Sequence, residues 1–595
     1  MKLILTACFL SIAFLLNAQL IVELDLVNPD SEIKNGQATA IASGGVEPYT
    51  YQWSKQSVPQ TSAICKGLDE GLGFTLKVKD ASGDSVLVEG MIPAESAEEK
   101  LNSSFAPVVA VIGNVLFWDP FEAIGVYDPI VRDEKGSIVT HKNGEPIKQG
   151  IPLVVVWLVL GAIFFTIRMK FVNLRGFTHA LELVRGKYDN PNDKGEVSHF
   201  QALTTALSGT VGLGNIAGVA VAISLGGAGA TFWMIVAGLL GMSSKFVECT
   251  LGVKYREINE EGQVSGGPMY YLSEGLKRKN LGGLGKVLAV IFAILCVGGS
   301  LGGGNMFQAN QAFAQLSGAI PEVANYGVYF GIILSLLVGI VIIGGIKSIA
   351  KVTDKIVPFM VGIYVLFALI IIFMNFAQIG NAFAAIFDGA FNPTAMKGGL
   401  IGVLIVGFQR AAFSNEAGVG SASIAHSASR TQEPVSEGIV ALLEPFIDTV
   451  VVCTMTALVL IFTGFAEDPG DMTGSQLTSA AFSSIFHWFE WVLLIAIILF
   501  AFSTMISWSY YGLKSWQYLF GKSKAMDYGY KLIFLIFIVL GSSVGLGAVL
   551  DFSDMMILGM AFPNILGLLL LSKEVREDLR DYFKRVRSGD IKKYK

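Results

Sequence analysis

Charged residues are scarce in this chain. Only 15% of its 595 residues are Asp, Glu, Lys or Arg and 52% are hydrophobic, whereas globular domains carry about 25% charge. Mean hydropathy is +0.58, and a single soluble core rarely exceeds about 250–300 residues. With 43 basic and 48 acidic residues, the chain lacks the basic excess that binds nucleic acid. The composition favours a protein of the lipid bilayer with no nucleic-acid partner.

Cysteine is also rare, and no constellation of reactive residues is evident. Cys8 lies in the N-terminal apolar run, Cys65 stands alone in the region that follows, and the others lie in apolar segments (Cys249, Cys296 and Cys453). This spacing predicts neither a disulfide framework nor a metal cluster. A Walker phosphate loop and a group of nucleophile, base and orienting residue are absent from the sequence. We therefore expect no enzyme activity, no cofactor and no ATP-driven pump.

Composition divides the chain into a leader, a β-rich region, a linker, a membrane domain and a charged tail, over residues 1–18, 20–96, 97–149, 150–575 and 576–595. The leader predicts a cleavable secretory signal, with a retained anchor as the alternative. The linker contains an apolar run over 105–118 that is too short to span a bilayer and predicts an interfacial helix.

The β-rich region alternates polar and apolar residues between turns, as half-buried strands do. Its stretch GGVEPYTYQW (Gly44–Trp53), followed by FTLKVKDASGD from Phe74, resembles the immunoglobulin-like repeats of bacterial surface adhesins. That resemblance implies a small exported β-sandwich. Whether it binds a partner or is a passive appendage stays open, and its partner is unknown.

The remainder predicts an all-α membrane domain. About eleven apolar segments are candidate transmembrane helices, centred near residues 160, 213, 240, 297, 335, 365, 405, 452, 498, 540 and 563. Lys and Arg concentrate in alternate short loops, which stay cytoplasmic. The pattern places the N-terminal domain in the periplasm and the C-terminus in the cytoplasm, at the inner membrane. An odd number of crossings fits those two ends.

Glycine interrupts the second of these segments. Leu203–Val221 reads LTTALSGTVGLGNIAGVAV, and an unwound midpoint in hydrocarbon requires protein or a polar cavity to satisfy its backbone. Such breaks hold substrates and ions. Two other interpretations stay open: Gly214 and Gly218 have the spacing of closely packed helices, and GLGNIA formally matches a dinucleotide fingerprint, although no strand precedes it.

Several long motifs in a fixed order link the membrane domain to a family. They are TALSGTVGLGNIAGVA, FWMIVAGLLGMSSKFVE, GGPMYY, FSNEAGVGSASIAHSAS and FIDTVVVCTMTALV. Over residues 150–575 the chain closely resembles the alanine/glycine:cation symporters. The resemblance implies a secondary transporter of the amino acid, polyamine and organocation type, with a 5+5 inverted repeat after one preceding helix. The β-rich region lies outside it.

The same resemblance assigns substrate-binding roles to the glycine break and to side chains on other helices. The backbone of the break is expected to hold the substrate carboxylate, over Thr210, Gly212, Leu213 and Gly214. The family commonly has threonine at the position of Leu213, so a hydroxyl contact is lost, whereas backbone amides do not depend on the side chain. The other expected contacts are Gln308, Phe413, Thr504 and Trp508.

These side chains also have structural interpretations. Gln308 has the alternative of an interhelical hydrogen bond, and the rings of Phe413 and Trp508 have the alternative of core packing. Thr504 and Trp508 are four residues apart and share one helical face. Phe413 is expected in a second broken segment, opposite the first. Bulky rings leave room for a methyl or hydrogen side chain, so selectivity is expected to come from size exclusion.

Sodium is the expected coupling ion. The expected ligands are the carbonyls of Ser208 and Val211 and oxygens of Ala501 and Thr504, by analogy with the fold. Asn215 either binds a second ion through the substrate carboxylate or caps the second half-helix. One inward charge gains about 2.3 kcal/mol per 100 mV and a tenfold gradient about 1.4 more, enough for roughly 500-fold accumulation. Protons supply the same force and stay an alternative.

Charged residues near these segments require partners or water. Arg410 and Glu416 flank Phe413 and are predicted to pair with each other or to gate the inner vestibule. Glu444 and Asp448 lie four apart and either bind a cation or relay protons. Their structural alternative is a solvated helix end for Glu444 and a hydrogen-bonded Asp448.

Two functions follow from the sequence. The first is a symporter that imports alanine or glycine with sodium by alternating access. The second is a membrane-anchored receptor or adhesin that uses the transporter fold and the β-domain for recognition. The complete set of expected site residues favours transport.

Overall fold

A computed structural model of the chain describes residues 20–27, 36–53, 62–68, 73–91, 113–114, 116–125, 129–130, 138, 150–190, 192–391, 399–467, 472, 474–543 and 546–594. The predicted signal over 1–18 and most of the predicted interfacial helix and linker lie outside these residues. The chain forms two compact units, Met1–Ser104 and Phe105–Lys595.

The first unit contains two antiparallel three-stranded sheets. Their strands are β1 Ile21–Val27, β2 Gly36–Ser43, β3 Thr50–Trp53, β4 Ile64–Leu68, β5 Gly73–Lys79 and β6 Ser85–Met91, in the orders β1-β2-β4 and β3-β5-β6. Alternate residues of β5 are buried, and both sheets contribute to one core that includes Trp53 and Cys65. These strands lie within the predicted β-rich region, and their kinship with adhesin repeats stays a prediction.

Asp80 organises the turn between β5 and β6. Its carboxylate accepts hydrogen bonds from the amides of Val46 (2.9 Å), Ser82 (3.0 Å) and Asp84 (2.9 Å). These bonds, led by that of Val46, lower the pKa of Asp80 below its ordinary value because they favour the charged form.

The second unit is helical. Its first half contains α1 Pro120–Ala123, α2 Leu153–Arg168, α3 Val172–Arg175, α4 Phe177–Val184, α5 His199–Thr210, α6 Ala217–Gly226, α7 Gly229–Lys254, α8 Pro268–Tyr270, α9 Gly282–Leu301, α10 Phe307–Ala319, α11 Gly327–Ile342 and α12 Gly345–Met374. A short ribbon pairs β7 Glu257–Ile258 with β8 Val264–Ser265.

Its second half contains α13 Ile379–Phe391, α14 Gly399–Asn415, α15 Ser423–His426, α16 Pro434–Val440, α17 Leu443–Pro445, α18 Thr454–Phe462, α19 Gly474–Ser483, α20 Phe489–Phe520, α21 Lys524–Gly541, α22 Leu546–Gly559 and α23 Ala561–Ser588. Single 3₁₀ turns occupy Leu213–Asn215, Pro321–Val323 and Phe376–Gln378, and π-helical segments occupy Tyr271–Gly275, Gly302–Met306 and Phe446–Cys453.

Six helical stretches of the described chain are long and apolar enough to cross a membrane, or seven when the bent pair around Leu213 counts as one span. The six are Gly229–Lys254, Gly282–Ala319, Gly345–Met374, Pro434–Phe462, Phe489–Phe520 and Asp551–Ser588. Leu153–Arg168 and Gly327–Ile342 are shorter apolar helices. Each of the eleven predicted centres lies in a helical element, and the number of crossings stays a prediction. The unit is a multi-pass membrane domain.

Candidate functional site

The glycine break is an unwound segment between two helices. A capping box formed by Ser198 and Gln201 begins α5, which ends at Thr210, and the helix resumed after the 3₁₀ turn is bent by 57° from α5. The Gly212 amide donates to Asn215 Oδ1 (2.8 Å). Because that amide is turned away, the carbonyl of Ser208 lacks its usual helical donor one turn ahead.

Side chains of other helices satisfy part of this backbone. The Leu213 amide donates to Gln308 Oε1 (3.3 Å), and the Thr456 hydroxyl donates to the Asn215 carbonyl (2.8 Å). The Thr478 hydroxyl donates to the Ile216 carbonyl (3.3 Å). Protein groups thus replace several of the missing helical bonds, as expected for a break at membrane depth. The segment before the break is a helix and not a strand, so the dinucleotide interpretation fails.

Gln308 lies two residues after the end of a π-helical segment. Its Nε2 donates to the Gly303 carbonyl (2.9 Å) inside that segment, while its Oε1 faces the break. Single π-helical turns frequently accompany functional sites because they displace side chains from the regular helical faces. Gln308 therefore joins α10 to the unwound backbone, which is the interhelical bond considered from the sequence.

One face of α20 presents buried hydroxyls near the break. Thr504 Oγ1, Ser507 Oγ and Tyr511 OH are buried and have no hydrogen-bond partner among the described residues. A Cβ built on Gly212 would lie 2.5 Å from Thr504 Oγ1, and one built on Gly209 would lie 3.0 Å from Tyr511 OH. Buried polar groups without partners are rare, so this face is suited to a polar ligand.

Trp508 connects the two breaks. Its Nε1 donates to the Gly209 carbonyl (3.2 Å) and to Glu416 Oε1 (3.0 Å). A Cβ built on Gly304 would lie 2.2 Å from Trp508 Cγ, so only glycine allows the indole to pack here. The ring is held by hydrogen bonds as well as by packing.

The second break begins later than expected. Helix α14 continues through Phe413 to Asn415, so the prediction that Phe413 lies in the broken segment is wrong. The chain turns at Glu416, which has a φ of 54°, and at Gly418 and Gly420, with φ of 91° and 97°. Glycine suits the last two positions because left-handed backbone strains other residues. Three residues past Phe413, the carboxylate of Glu416 occupies the break instead.

Phe413 packs against an aromatic neighbour beside the site. Its ring meets that of Phe307 at 5.8 Å between centroids, edge to face, and Phe307 directly precedes Gln308. The guanidinium of Arg410 lies 5.6 Å from the Phe413 ring centroid. Phe413 is thus near the residues expected around the substrate, although it lies on a continuous helix.

The remaining predicted residues of the break are Thr210 and Gly214, and Gly218 follows it. The Thr210 hydroxyl donates to the carbonyl of Ala206 (3.3 Å) within its own helix, which leaves its backbone as the group facing the break. A Cβ on Gly214 would lie 3.3 Å from Ser414 Cα, whereas one on Gly218 would meet nothing within 4 Å. The close-packing interpretation therefore holds at Gly214 and fails at Gly218.

The predicted sodium ligands lie on α5 and α20. The Ser208 hydroxyl donates to the Ser503 carbonyl (2.6 Å), which brings the end of α5 to the stretch of α20 between Ala501 and Thr504. The freed Ser208 carbonyl and the unpartnered Thr504 hydroxyl are neutral oxygens of the kind sodium takes. Val211 and Ala501 are fully buried and would contribute through backbone oxygens. These four residues thus offer oxygen ligands that fit a sodium ion, and their role in binding it stays a prediction.

The membrane domain matches a known protein family. The sequence model of the sodium:alanine symporter family matches residues 137–595. The chain belongs to the sodium:alanine symporter family. Its members are transporters, so the chain is not an enzyme.

Curated relatives and solved structures are similar to this family member. The sodium/alanine symporter AgcS of Methanococcus maripaludis is 42% identical over 74% of this chain and 96% of its own length. In Bacillus subtilis, the probable sodium/glutamine symporter GlnT is 34% identical over 73% of this chain and 89% of its own length. The putative sodium/proton-dependent alanine carrier protein YrbD, from the same organism, is 35% identical over 73% of this chain and 90% of its own length. The solved structure of MhsT in complex with L-phenylalanine is 14% identical in sequence, and the match covers 65% of this chain and 99% of MhsT at a TM-score of 0.41.

In this member of the sodium:alanine symporter family, Asn215 and Asp448 bridge the first break to the helix after the second. Asn215 Nδ2 donates to Asp448 Oδ1 (2.7 Å), and the hydroxyls of Ser414 and Thr449 donate to Asp448 Oδ2 (2.9 and 2.7 Å). Asn215 thus folds back on the Gly212 amide instead of capping α6. Asp448 is hydrogen-bonded, as in the structural alternative considered from the sequence.

Other buried charges pair differently from the predictions. Glu444 is fully buried and pairs with Lys245 at 2.9 Å, so the expectation of a solvated helix end is wrong. Arg410 pairs with Asp554, not with Glu416, whose carboxylate accepts hydrogen bonds from Trp508 and Ser421. These pairings join segments far apart in sequence, which a single sequence does not reveal.

Sequence reasoning missed three polar residues of the site. Ser507 and Tyr511 follow Thr504 at three and seven residues, a helical spacing that would have identified them. Ser414, which closes on Gly214 and Asp448, adjoins Phe413 and carried no comparable periodic signal.

Proposed function

We propose that this chain imports a small neutral amino acid, alanine or glycine, together with sodium by alternating access. The transporter has about eleven membrane-spanning helices in a 5+5 inverted repeat, with the N-terminal domain in the periplasm and the C-terminus in the cytoplasm of an inner membrane. Membership of the sodium:alanine symporter family supports cation-coupled amino acid symport, and loop charges support the orientation.

One observation carries the proposal. The unwound backbone around Gly212 lies against Thr504, whose buried hydroxyl lacks a partner among the described residues. Backbone amides of the second half-helix favour a carboxylate, and carbonyls at the end of the first favour a cation. A zwitterion and a sodium ion therefore find complementary charges at the same break.

Ring packing supports a small substrate. Trp508 is fixed by two hydrogen bonds, and Phe413 is fixed against Phe307. Rings held this firmly leave little freedom for a large side chain beside Thr504. Similar proteins carry names that include alanine and glutamine, so the choice of substrate requires a direct measurement.

Sodium binding is proposed at Ser208, Val211, Ala501 and Thr504. The first two lie where α5 unwinds, and the last two lie on one turn of α20. Thr504 would contact both the sodium ion and the amino acid. A sodium ion bound to its hydroxyl would hold that hydroxyl in position for the substrate, which couples the binding of the two ligands. Such shared contacts make each ligand raise the affinity of the other.

Uptake of radiolabelled alanine into proteoliposomes containing the full chain tests this function. An inward sodium gradient should drive accumulation that a potassium gradient of equal size does not, and unlabelled glycine should compete better than glutamine or phenylalanine. A proton gradient provides the parallel arm. Binding of alanine without accumulation under any gradient would contradict symport and favour the receptor function.

A further inference from the structure

A strongly basic cavity in the membrane domain shares no lining residue with the glycine break. Its volume is about 670 Å³, within the range of about 300–1,000 Å³ that ligand pockets occupy. The end of α2, the turn after it, α3 and α23 form its walls. Its basic lining residues are Arg168, Lys170, Arg175, Lys573, Arg576, Arg580, Lys584 and Arg587, against one acid, Glu577.

The cations of α23 point to a common side. Lys573, Arg576, Arg580, Lys584 and Arg587 recur at intervals of three or four residues, which places them on one helical face. Acidic residues of the same helix pair elsewhere: Asp578 with Lys254, and Asp581 with Arg585. None of the eight basic lining residues forms an ion pair with a described carboxylate. Inside the cavity, the eight basic residues are therefore opposed by Glu577 alone.

Arg168 makes this cavity more than a solvated surface. Its Nε is buried and has no hydrogen-bond partner among the described residues. Lys170 and Phe171 follow with φ of 55° each, a left-handed conformation that costs free energy in residues other than glycine. Arg175 donates to the Met169 carbonyl (3.1 Å), which holds this turn against the cavity. A buried guanidinium donor without a partner fits an anionic acceptor.

An exposed apolar strip leads to the cavity. Along α2 and the turn after it, the outward residues are Leu160, Ile163, Phe164, Ile167, Phe171 and Leu174. The first four of these residues lie on one helical face of α2, and Ile167 is 63% exposed although it directly precedes Arg168. In a membrane domain this face contacts acyl chains. Cationic groups thus begin where the lipid-facing surface ends.

We infer that this cavity binds the headgroup of an anionic glycerophospholipid whose acyl chains lie along the apolar strip of α2. The phosphate meets the guanidinium groups of Arg168, Arg576 and Arg580, whose planar donors suit phosphate oxygens. Basic pockets at the membrane surface attract anionic lipids through the same charge complementarity. A soluble phosphate shares the headgroup chemistry but makes no use of the apolar strip.

Native mass spectrometry of the full chain in detergent, with phosphatidylglycerol or phosphatidylethanolamine added, tests this inference without requiring transport. We expect phosphatidylglycerol to bind preferentially, and the R576Q/R580Q variant to bind it roughly 30-fold more weakly because two surface charges are lost. K584Q/R587Q is a second pair if the first fails to fold. K277Q/K279Q removes equal charge outside the cavity and should bind like the unmodified chain.

Two further measurements distinguish binding of a lipid from binding of a soluble anion. I167N should weaken phosphatidylglycerol binding, and glycerol 1-phosphate at the same concentration should not displace the lipid. Unchanged lipid binding in both cavity variants would overturn the inference, as would an equal loss in K277Q/K279Q. Displacement by glycerol 1-phosphate would overturn the lipid assignment in favour of a soluble anion. None of these outcomes depends on which amino acid is transported.

Discussion

At the scale of single residues, Thr504 is the point where the expected substrate and ion sites meet. Replacing it in Thr504→Val keeps the shape and removes the buried hydroxyl. We expect the half-saturation concentrations for alanine and sodium to rise roughly tenfold to a hundredfold, the cost of losing a hydrogen bond to a charged group. Thr504→Ser retains the hydroxyl and is the matched control. Proteoliposome uptake at graded sodium measures both values, and normal kinetics in Thr504→Val would remove Thr504 from the site.

Trp508 is expected to limit substrate size. In Trp508→Ala the indole and its bonds to Gly209 and Glu416 are lost, so glutamine and phenylalanine should become competitors of alanine uptake. Trp508→Phe retains an aromatic ring and should continue to exclude both while it loses the hydrogen bonds. A competition profile in Trp508→Ala that matches the unmodified chain would show that another group sets the size limit.

The family resemblance assigned these two residues to the site, whereas pairings between residues distant in sequence were missed. Thr504 and Trp508 share a helical face that four-residue spacing predicts. Asp448 was noticed as a charge, but its hydrogen bonds to Asn215 and Ser414 join three helices. Arg410 was assigned to its sequence neighbour Glu416, whereas Asp554 supplies the carboxylate. Local chemistry is visible in a sequence, and tertiary pairing is not.

At the scale of secondary-structure elements, the first break depends on the absence of a side chain at Gly212. In Gly212→Ala the new methyl group would overlap Thr504 Oγ1, so we expect sodium-driven uptake to be lost. Gly218→Ala is the matched control, since a methyl group there meets nothing within 4 Å and should leave uptake unchanged. Equal uptake by the two variants would contradict a close approach between the break and α20.

The packing of α7 against the segment after the second break depends on a buried ion pair. Lys245 and Glu444 are fully buried at 2.9 Å, and without Lys245 the Glu444 carboxylate retains only His426, at 3.5 Å, as a partner in an ion pair. We expect Lys245→Met to lower the free energy of unfolding by about 3–5 kcal/mol. The double variant Lys245→Met/Glu444→Gln should recover part of that loss. Thermal unfolding in detergent compares them, and a double variant no more stable than Lys245→Met would contradict the pairing.

Element positions were easier to predict than the exact point of a break. Hydrophobic length placed all eleven predicted centres within helices. Glycine located the first break because Gly212 lies at its centre. The second was placed too early, since Phe413 continues α14 and the left-handed turn begins at Glu416. A non-glycine residue in that conformation is rare, so sequence gave little warning of it.

At the scale of the whole molecule, the β-domain and the membrane domain are separate compact units, and the family match begins at residue 137. The groups expected to bind the amino acid and sodium all lie in the second unit. Because neither ligand requires the strands, deletion of residues 20–96 should leave the alanine half-saturation concentration and the sodium requirement within about twofold of the full chain, a change of only about 0.4 kcal/mol. Proteoliposome uptake, normalised to inserted protein, makes the comparison, with Gly212→Ala as the inactive reference. Loss of alanine recognition on deletion would instead assign recognition to the β-domain, as the receptor function requires.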